Sequence, residues 1–148
     1  MSQDWVKDIE EMHLKFGVRE WMIDQLQRAR INPYPERYDF LRKYLSFRML
    51  MIYEELGEMI SANSTRDSEE VVDALIDICV FAIGTLDVLG IDSYKAWDDV
   101  LEANMKKEVG VKEGRPNPFG LPDLVKPKGW EPPSHKDNHG ALEDIFDS

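Results

Sequence analysis

Apolar and charged residues recur at intervals of three and four over most of the first 108 residues, which is the period of amphipathic α-helices. The pattern predicts helices over residues 4–16, 19–30, 37–62, 68–89 and 93–108. Gly17, the Pro-rich segment 32–36 and the polar segment 61–68 mark turns between them. We therefore expect an all-α fold, built as a bundle of four to five helices.

The chain changes character after Val109, where the helical period is lost. Pro and Gly become frequent there, as in "KPKGWEPP" at 126–133. Such segments pack few apolar side chains and run extended. We predict a helical domain over residues 1–109 and an extended C-terminal tail over 110–148, packed on the domain or on a partner subunit. The last dozen residues are expected to be loosely held.

The helix predicted over 68–89 is apolar on almost every side. Between residues 71 and 91 the charged residues are Asp73, Asp77 and Asp87. A helix that is apolar all round is normally buried all round, and an unpaired buried carboxylate costs several kcal/mol. Asp73 and Asp77, four residues apart, therefore need a compensating partner. The apolar surface also exceeds what a small bundle covers, which predicts a homo-oligomer.

The preceding helix carries acid on one side as well. An apolar stripe on that helix continues in line into three carboxylates, Glu54, Glu55 and Glu58. Helices joined by a short turn pack antiparallel, so these three are expected to lie close to Glu70 and Asp73 on the next helix. Two acidic faces would then share one groove. A solvated acidic face is the alternative for either helix taken alone.

Charge decides between compensating partners. The net charge is -11, and residues 67–102 contain ten acidic residues and one basic residue, Lys95. This segment cannot neutralise itself, so a hard divalent cation is the favoured partner for the carboxylates. Mg²⁺ and Mn²⁺ prefer oxygen ligands, and four carboxylates would balance two such ions. A carboxylate-bound pair of these ions suits phosphate chemistry.

Composition makes several other classes of protein improbable. So acidic a chain lacks the clustered Lys and Arg of a nucleic-acid binder. No uncharged run approaches the ~18 residues of a membrane span, and the first residues do not form a signal peptide, so we expect a cytoplasmic location. The single cysteine, Cys79, lies in an apolar run and is expected to be a buried small hydrophobe.

Other catalytic and metal sites lack their motifs. A di-iron bundle needs Glu-x-x-His on its helices, and no histidine lies between residues 14 and 134. His135 and His139 lie in a Pro- and Gly-containing segment without a cysteine pair, which disfavours zinc. A phosphate-binding P-loop and a dinucleotide-binding fingerprint are both missing from the sequence.

Five segments in order carry a family resemblance. "EELGE" at 54–58 followed by "EEVVD" at 69–73 resembles the motif pair of the MazG-like all-α nucleoside triphosphate pyrophosphohydrolases. The segments 72–92, 100–110 and 124–133 are similar to the phosphoribosyl-ATP-pyrophosphohydrolase-like branch of phage type. The resemblance covers roughly residues 3–135.

The resemblance implies an activity and its partners. A member of this family hydrolyses a nucleoside triphosphate between the α and β phosphates, with two or three Mg²⁺ or Mn²⁺ ions per site, as a dimer or tetramer. Within the phage-type branch we expect a purine deoxynucleotide, with dGTP first, acting in the host cytoplasm if phage-encoded. The alternatives are a phosphoribosyl-ATP pyrophosphohydrolase and a non-catalytic acidic binding module.

The resemblance also assigns roles to individual residues. It implies these metal ligands: Glu55, Glu58, Glu70, and Asp73 or Asp77 or both. It implies that Glu54 or Glu55 is the base that activates water. Asn104 and Lys107 match a phosphate-binding motif, with Lys106 and Arg115 as weaker candidates.

Overall fold

The computed structural model describes residues 3–31, 35–114, 117–120 and 123–146. These residues form six helices: α1 Trp5–Lys15, α2 Val18–Ile31, α3 Pro35–Thr65, α4 Ser68–Val88, α5 Ser93–Met105 and α6 Leu142–Phe146. A small antiparallel sheet pairs β1 Glu108–Gly110 with β2 Asp123–Val125. The predicted all-α class is confirmed. The chain divides into two compact units, described separately below.

The first unit comprises Met1–Ser93 and Asp137–Ser148. Its core is a cluster of buried side chains from α2, α3, α4 and the C-terminal segment: Met22, Ala29, Leu41, Leu45, Val88, Leu89, Ala141 and Ile145. The Trp21 ring packs against Tyr44 at 4.8 Å between ring centroids. The amphipathic pattern therefore places its apolar residues as the helical period predicts.

A two-residue link, Arg66 and Asp67, joins α3 to α4. Arg66 has a φ of 60°, in the left-handed region that reverses a chain tightly. Asp67 caps α4 by accepting a hydrogen bond from the Glu70 backbone N–H at 3.2 Å. The helix predicted to end at residue 62 continues to Thr65, where the Thr65 hydroxyl donates to the Ser61 carbonyl at 3.3 Å.

The apolar helix α4 is not covered on every side. Helices α1 and α3 pack along it, yet Val72, Leu75 and Ile76 are 62%, 47% and 43% exposed. The single chain therefore leaves part of the apolar surface of α4 uncovered, and Cys79, expected to be buried, is half-buried. Within the part of the chain that the structure describes, no single helix combines the length and hydropathy of a membrane span.

The C-terminal segment of the first unit is ordered by specific contacts. Ile145 on α6 is fully buried, and Asp144 on the same helix pairs with Arg30 at 2.5 Å. The Ala141 N–H donates to the Leu89 carbonyl at 2.7 Å. The prediction of a loosely held end is thus wrong for residues 137–146, since apolar burial and an ion pair fix them.

The second unit, Tyr94–Lys136, contains most of α5 and the small sheet. The Trp130 indole N–H donates to the Ala103 carbonyl at 2.7 Å, which fixes the ring on α5. Lys107 and Lys126 lie over that ring, 5.5 Å and 4.7 Å from its centroid. The hydrogen bond therefore joins α5 to the segment after β2, and Lys107, two residues beyond the helix, adds a cation–π contact.

Candidate active site

The predicted carboxylates of the first unit lie on two neighbouring helices. Three, Glu54, Glu55 and Glu58, are in the second half of α3, and three, Glu70, Asp73 and Asp77, are in the first three turns of α4. Because the two-residue link makes α3 and α4 antiparallel neighbours, the two sets lie at the same end of the helix pair. We call these six residues the acidic seam.

Electrostatic coupling shows that the two sets are close. Partial burial raises the pKa of the Glu55 carboxyl above its ordinary value, and so does repulsion from four neighbours: Glu58, Asp77, Glu54 and Asp73. Two of these neighbours belong to α4. Carboxylates of both helices therefore act on Glu55, and which of them bind a metal ion stays a prediction.

The position of Asp73 and Asp77 bears on which of them belongs to the second motif. Asp77 is half-buried and Asp73 is exposed, and both contribute to the raised pKa of Glu55. Glu70 is exposed on the first turn of α4 and is not among the carboxylates that shift Glu55. Both aspartates thus face the same glutamate, and Glu70 lies at the rim.

The acidic seam has no cationic partner of its own within the described residues. None of its six carboxylates accepts a hydrogen bond or forms an ion pair with another described side chain. Like charges held together without compensation destabilise one another, and this repulsion adds to partial burial in raising the pKa of Glu55. Such an arrangement is stabilised by binding a cation.

The donor chemistry of the acidic seam fits a hard divalent cation. Carboxylate oxygens are the ligands that Mg²⁺ and Mn²⁺ prefer. Over the described ranges, no group of three or more His, Cys, Asp or Glu side chains converges as a finished ligand set. The helices therefore bring suitable donors near one another, and side-chain rotation would be needed to close them around an ion.

The predicted phosphate-binding residues lie in the second unit. Asn104 is on the last turn of α5, and its side-chain oxygen accepts a hydrogen bond from Lys107 Nζ at 2.7 Å. Lys106 pairs with Glu102 at 2.6 Å, which reduces its free charge. Arg115 lies outside the described residues. Asn104 and Lys107 therefore contact each other, and their predicted role in binding phosphate stays a prediction.

A buried ionic network at the other end of α4 has no counterpart in the sequence predictions. Asp87 is buried, with 8% of its surface exposed. One of its carboxylate oxygens lies 2.6 Å from His13 Nδ1, and the other is in close contact with Arg19 Nη2. Arg19 also pairs with Glu10 at 2.9 Å. The signal in the sequence was an aspartate in an apolar run, but its partners are 74 and 68 residues away along the chain. We call Asp87, His13 and Arg19 the buried triad.

Comparison with known proteins shows which family the chain matches. A family model described as phosphoribosyl-ATP pyrophosphohydrolase matches residues 19–104, more than half of the 148-residue chain. The matched span contains the whole acidic seam and ends at Asn104. Comparison with curated proteins finds no match, and neither does comparison with solved structures.

Proposed function

Because the chain belongs to the phosphoribosyl-ATP pyrophosphohydrolase family of the MazG-like all-α superfamily, we propose that it hydrolyses a nucleoside triphosphate between its α and β phosphates. A nucleotide pyrophosphohydrolase is the activity that the family supports in general. The observation that carries the proposal is the acidic seam, whose uncompensated carboxylates lie within the matched residues.

Two or three Mg²⁺ or Mn²⁺ ions, held by Glu55, Glu58, Glu70, Asp73 and Asp77, would neutralise the phosphate oxygens and acidify a water molecule. Glu54 or Glu55 accepts the proton of the attacking water.

Bond making and bond breaking then balance. The water oxygen bonds to the α-phosphorus while the bond from that phosphorus to the α–β bridging oxygen breaks. The bridging oxygen keeps the electron pair and leaves as part of pyrophosphate, and the nucleoside monophosphate remains. In the second unit, Asn104 and Lys107 are proposed to contact phosphate oxygens, with Lys106 and Arg115 as weaker contributors.

Two substrates are candidates for this reaction. A purine deoxynucleoside triphosphate, with dGTP first, rests on the resemblance of the segments 72–92, 100–110 and 124–133 to the phage-type branch. Phosphoribosyl-ATP carries the same triphosphate and is favoured by the description of the matching family. The acidic seam contacts phosphates in either case, so the choice between them depends on groups that bind the base.

A product assay tests the proposal. The purified protein is incubated with Mg²⁺ and each of the deoxynucleotides, the ribonucleotides and phosphoribosyl-ATP, and pyrophosphate and orthophosphate are measured separately. Pyrophosphate with a stoichiometric monophosphate is the expected product. Orthophosphate alone would indicate cleavage at another bond, and no release from any compound would favour a non-catalytic binding module.

We also propose that the protein is a homo-oligomer, a dimer or a tetramer. The solvent side of α3 carries four large apolar side chains at spacings of four, three and four residues, Met49, Tyr53, Leu56 and Ile60. They are 39–72% exposed, and this spacing is that of a helix-pairing seam. A second copy of the chain would cover them.

The oligomer proposal is tested by sedimentation of charge variants. Tyr53→Glu and Ile60→Glu are expected to lower the molecular mass to that of one chain, while Ile31→Glu, at an exposed apolar residue that ends α2, is expected to leave it unchanged. A wild-type protein that sediments as a monomer at all concentrations would contradict the proposal.

A further inference from the structure

A groove lies between α3 and the turn that joins α1 to α2. It has a volume of about 680 Å³, within the range of roughly 300–1,000 Å³ that holds small organic ligands. Gly17, with a φ of 71°, reverses the chain after α1 and brings the start of α2 to this place. We call it the aromatic groove, because five aromatic side chains line it: Phe16, Trp21, Phe40, Tyr44 and Phe47.

Contacts between rings fix one part of the aromatic groove and leave another part open. Trp21 on α2 packs against Tyr44 and Phe40 on α3, at 4.8 Å and 6.0 Å between ring centroids. Phe47 is 54% exposed, and among the described residues its ring contacts no other aromatic ring. Aromatic rings attract one another when stacked with an offset. The exposed ring of Phe47 is therefore available to stack on a planar ligand.

The aromatic groove lies on the same face of α3 as part of the acidic seam. Phe40, Phe47 and Glu54 follow one another at intervals of seven residues on this one continuous helix, and Glu58 comes four residues later. Residues seven apart lie on nearly the same face of a helix and are separated by about 10 Å along its axis. Phe47 therefore lies two helical turns before the carboxylates of the seam.

The apolar surface proposed for self-association is on the other side of α3. It begins at Met49, two residues after Phe47, so the two side chains point roughly 200° apart around the helix axis. A second copy of the chain that covers Met49 would leave the aromatic groove open to solvent. The groove therefore needs a different occupant.

We propose that the aromatic groove binds the base of the nucleotide whose phosphates bind at the acidic seam. This inference rests on the proposed function for the identity of the ligand as a nucleotide. A nucleotide has a planar aromatic base and a metal-binding phosphate chain, separated by a sugar. One face of α3 presents aromatic rings and then carboxylates in the same order, with Phe47 between Phe40 and the seam. Phe47 stacks on the base in this arrangement.

Lys43 adds a polar group to the aromatic groove. It lines the groove, and within the part of the chain that the structure describes its side chain has no ion pair or hydrogen bond. A lysine ammonium is a donor with no acceptor atom. It can therefore donate to a ring nitrogen or a carbonyl oxygen at the edge of a stacked base.

Binding of an unreactive nucleotide tests the aromatic groove without requiring turnover. The probes are the α,β-methylene analogues of dGTP and ATP, in which carbon replaces the bridging oxygen of the bond to be cut. Inorganic tripolyphosphate offers the phosphates without a base. In titration calorimetry with Mg²⁺, the wild type is expected to bind at least one analogue about 10-fold more tightly than tripolyphosphate, because stacking on aromatic side chains adds affinity.

Substitutions of Phe47 separate binding of the base from binding of the phosphates. Phe47→Ala is expected to weaken binding of that analogue by about 10-fold and to leave binding of tripolyphosphate unchanged. Phe47→Tyr keeps the ring and is expected to bind both ligands as the wild type does. The matched control is Phe146→Ala, since Phe146 is 60% exposed on α6 and does not line the groove.

Circular dichroism and the unfolding midpoint report whether each variant is folded at the titration temperature. Affinities are compared only among folded variants. If Phe47→Ala is unfolded, Phe40→Ala takes its place, because Phe40 also lines the groove and is 48% exposed. The same loss of affinity for the analogue alone is then expected.

The outcomes separate the aromatic groove from the proposed function. Unchanged affinity for the analogue in folded Phe47→Ala, or equal weakening of both ligands, would overturn the groove as the base site. A wild type that binds neither analogue more tightly than tripolyphosphate would overturn it too. If Phe47→Ala instead turns an oligomer into single chains and keeps its nucleotide affinity, a second copy occupies the groove. A wild type that binds an analogue through Phe47 and hydrolyses none of the nucleotides would support the groove and contradict the proposed function.

Discussion

The two ends of α4 hold their carboxylates in opposite ways. At the C-terminal end, Asp87 is buried and its charge is met by His13 and Arg19. At the N-terminal end, Asp73 and Asp77 face the glutamates of α3, and none of these has a described cationic partner. An apolar helix thus carries one aspartate that is paired within the fold and two that have no described cationic partner. The first arrangement serves stability, and the second is suited to binding a metal ion.

The largest expected effect is a loss of activity on substitution at the N-terminal end of α4 or at the α3 glutamates beside it, where the proposed metal ligands lie. Glu58→Gln or Asp73→Asn should reduce pyrophosphate release by more than about 100-fold, since removing a direct ligand costs more than removing the groups that support it. Initial rates at saturating Mg²⁺ measure this. Glu36→Gln, on the first turn of α3, is the control and should retain activity. Full activity in Glu58→Gln would show that the site is assigned to the wrong residues.

At the C-terminal end of α4, removing the charge of Asp87 should lower the stability of the protein. Asp87→Asn leaves His13 and Arg19 without their carboxylate and is expected to lower the free energy of unfolding by about 3 kcal/mol. The unfolding midpoint should then fall by roughly 10 °C. Asp99→Asn, which removes a partly exposed carboxylate paired with Lys95, should change it far less. Equal effects would mean that Asp87 is not specially compensated.

Mg²⁺ should stabilise the protein only by binding to the acidic seam. At a concentration about 100 times its dissociation constant, a bound ion adds about 2.7 kcal/mol to the free energy of unfolding. Thermal unfolding with Mg²⁺ and with EDTA measures the difference. The wild type and Glu36→Gln should show it, and Glu58→Gln should not. A shift that survives in Glu58→Gln would place the ion elsewhere.

The smallest expected effect is the change of stability with pH that is caused by ionisation of Glu55. Its pKa is raised in the folded state, so ionising it destabilises the fold, and the penalty grows as pH rises from the ordinary glutamate value of about 4.3 through the raised pKa. In EDTA, Glu55→Gln should therefore have a higher unfolding midpoint than the wild type at neutral pH. Below about pH 4 the difference should disappear. A difference independent of pH would argue against charge repulsion as its cause.

The sequence predicted the parts of this molecule that depend on local pattern. The five long helices follow from the spacing of apolar residues. The meeting of Glu55 with Asp73 and Asp77 follows from two helical faces and one short turn. Each of these is decided by residues close together in the chain.

Contacts between distant residues were not predictable in the same way. Asp77 and Asp87 look alike in the sequence, each a lone aspartate in an apolar run, and only the fold shows that one has His13 and Arg19 beside it. Helix α6 has five residues, too few to display a period, and its stability comes from burial of Ile145.

The link between α3 and α4 has a consequence for how the chain can vary. Only Arg66 and Asp67 separate the helices, and Asp67 is also the cap that starts α4. A longer loop at this position would let α4 slide along α3 and would change which aspartate faces Glu55. The number of residues between the two acidic segments is therefore as strict a requirement as their composition, and an insertion after Arg66 should be tolerated less well than one in any other turn of the first unit.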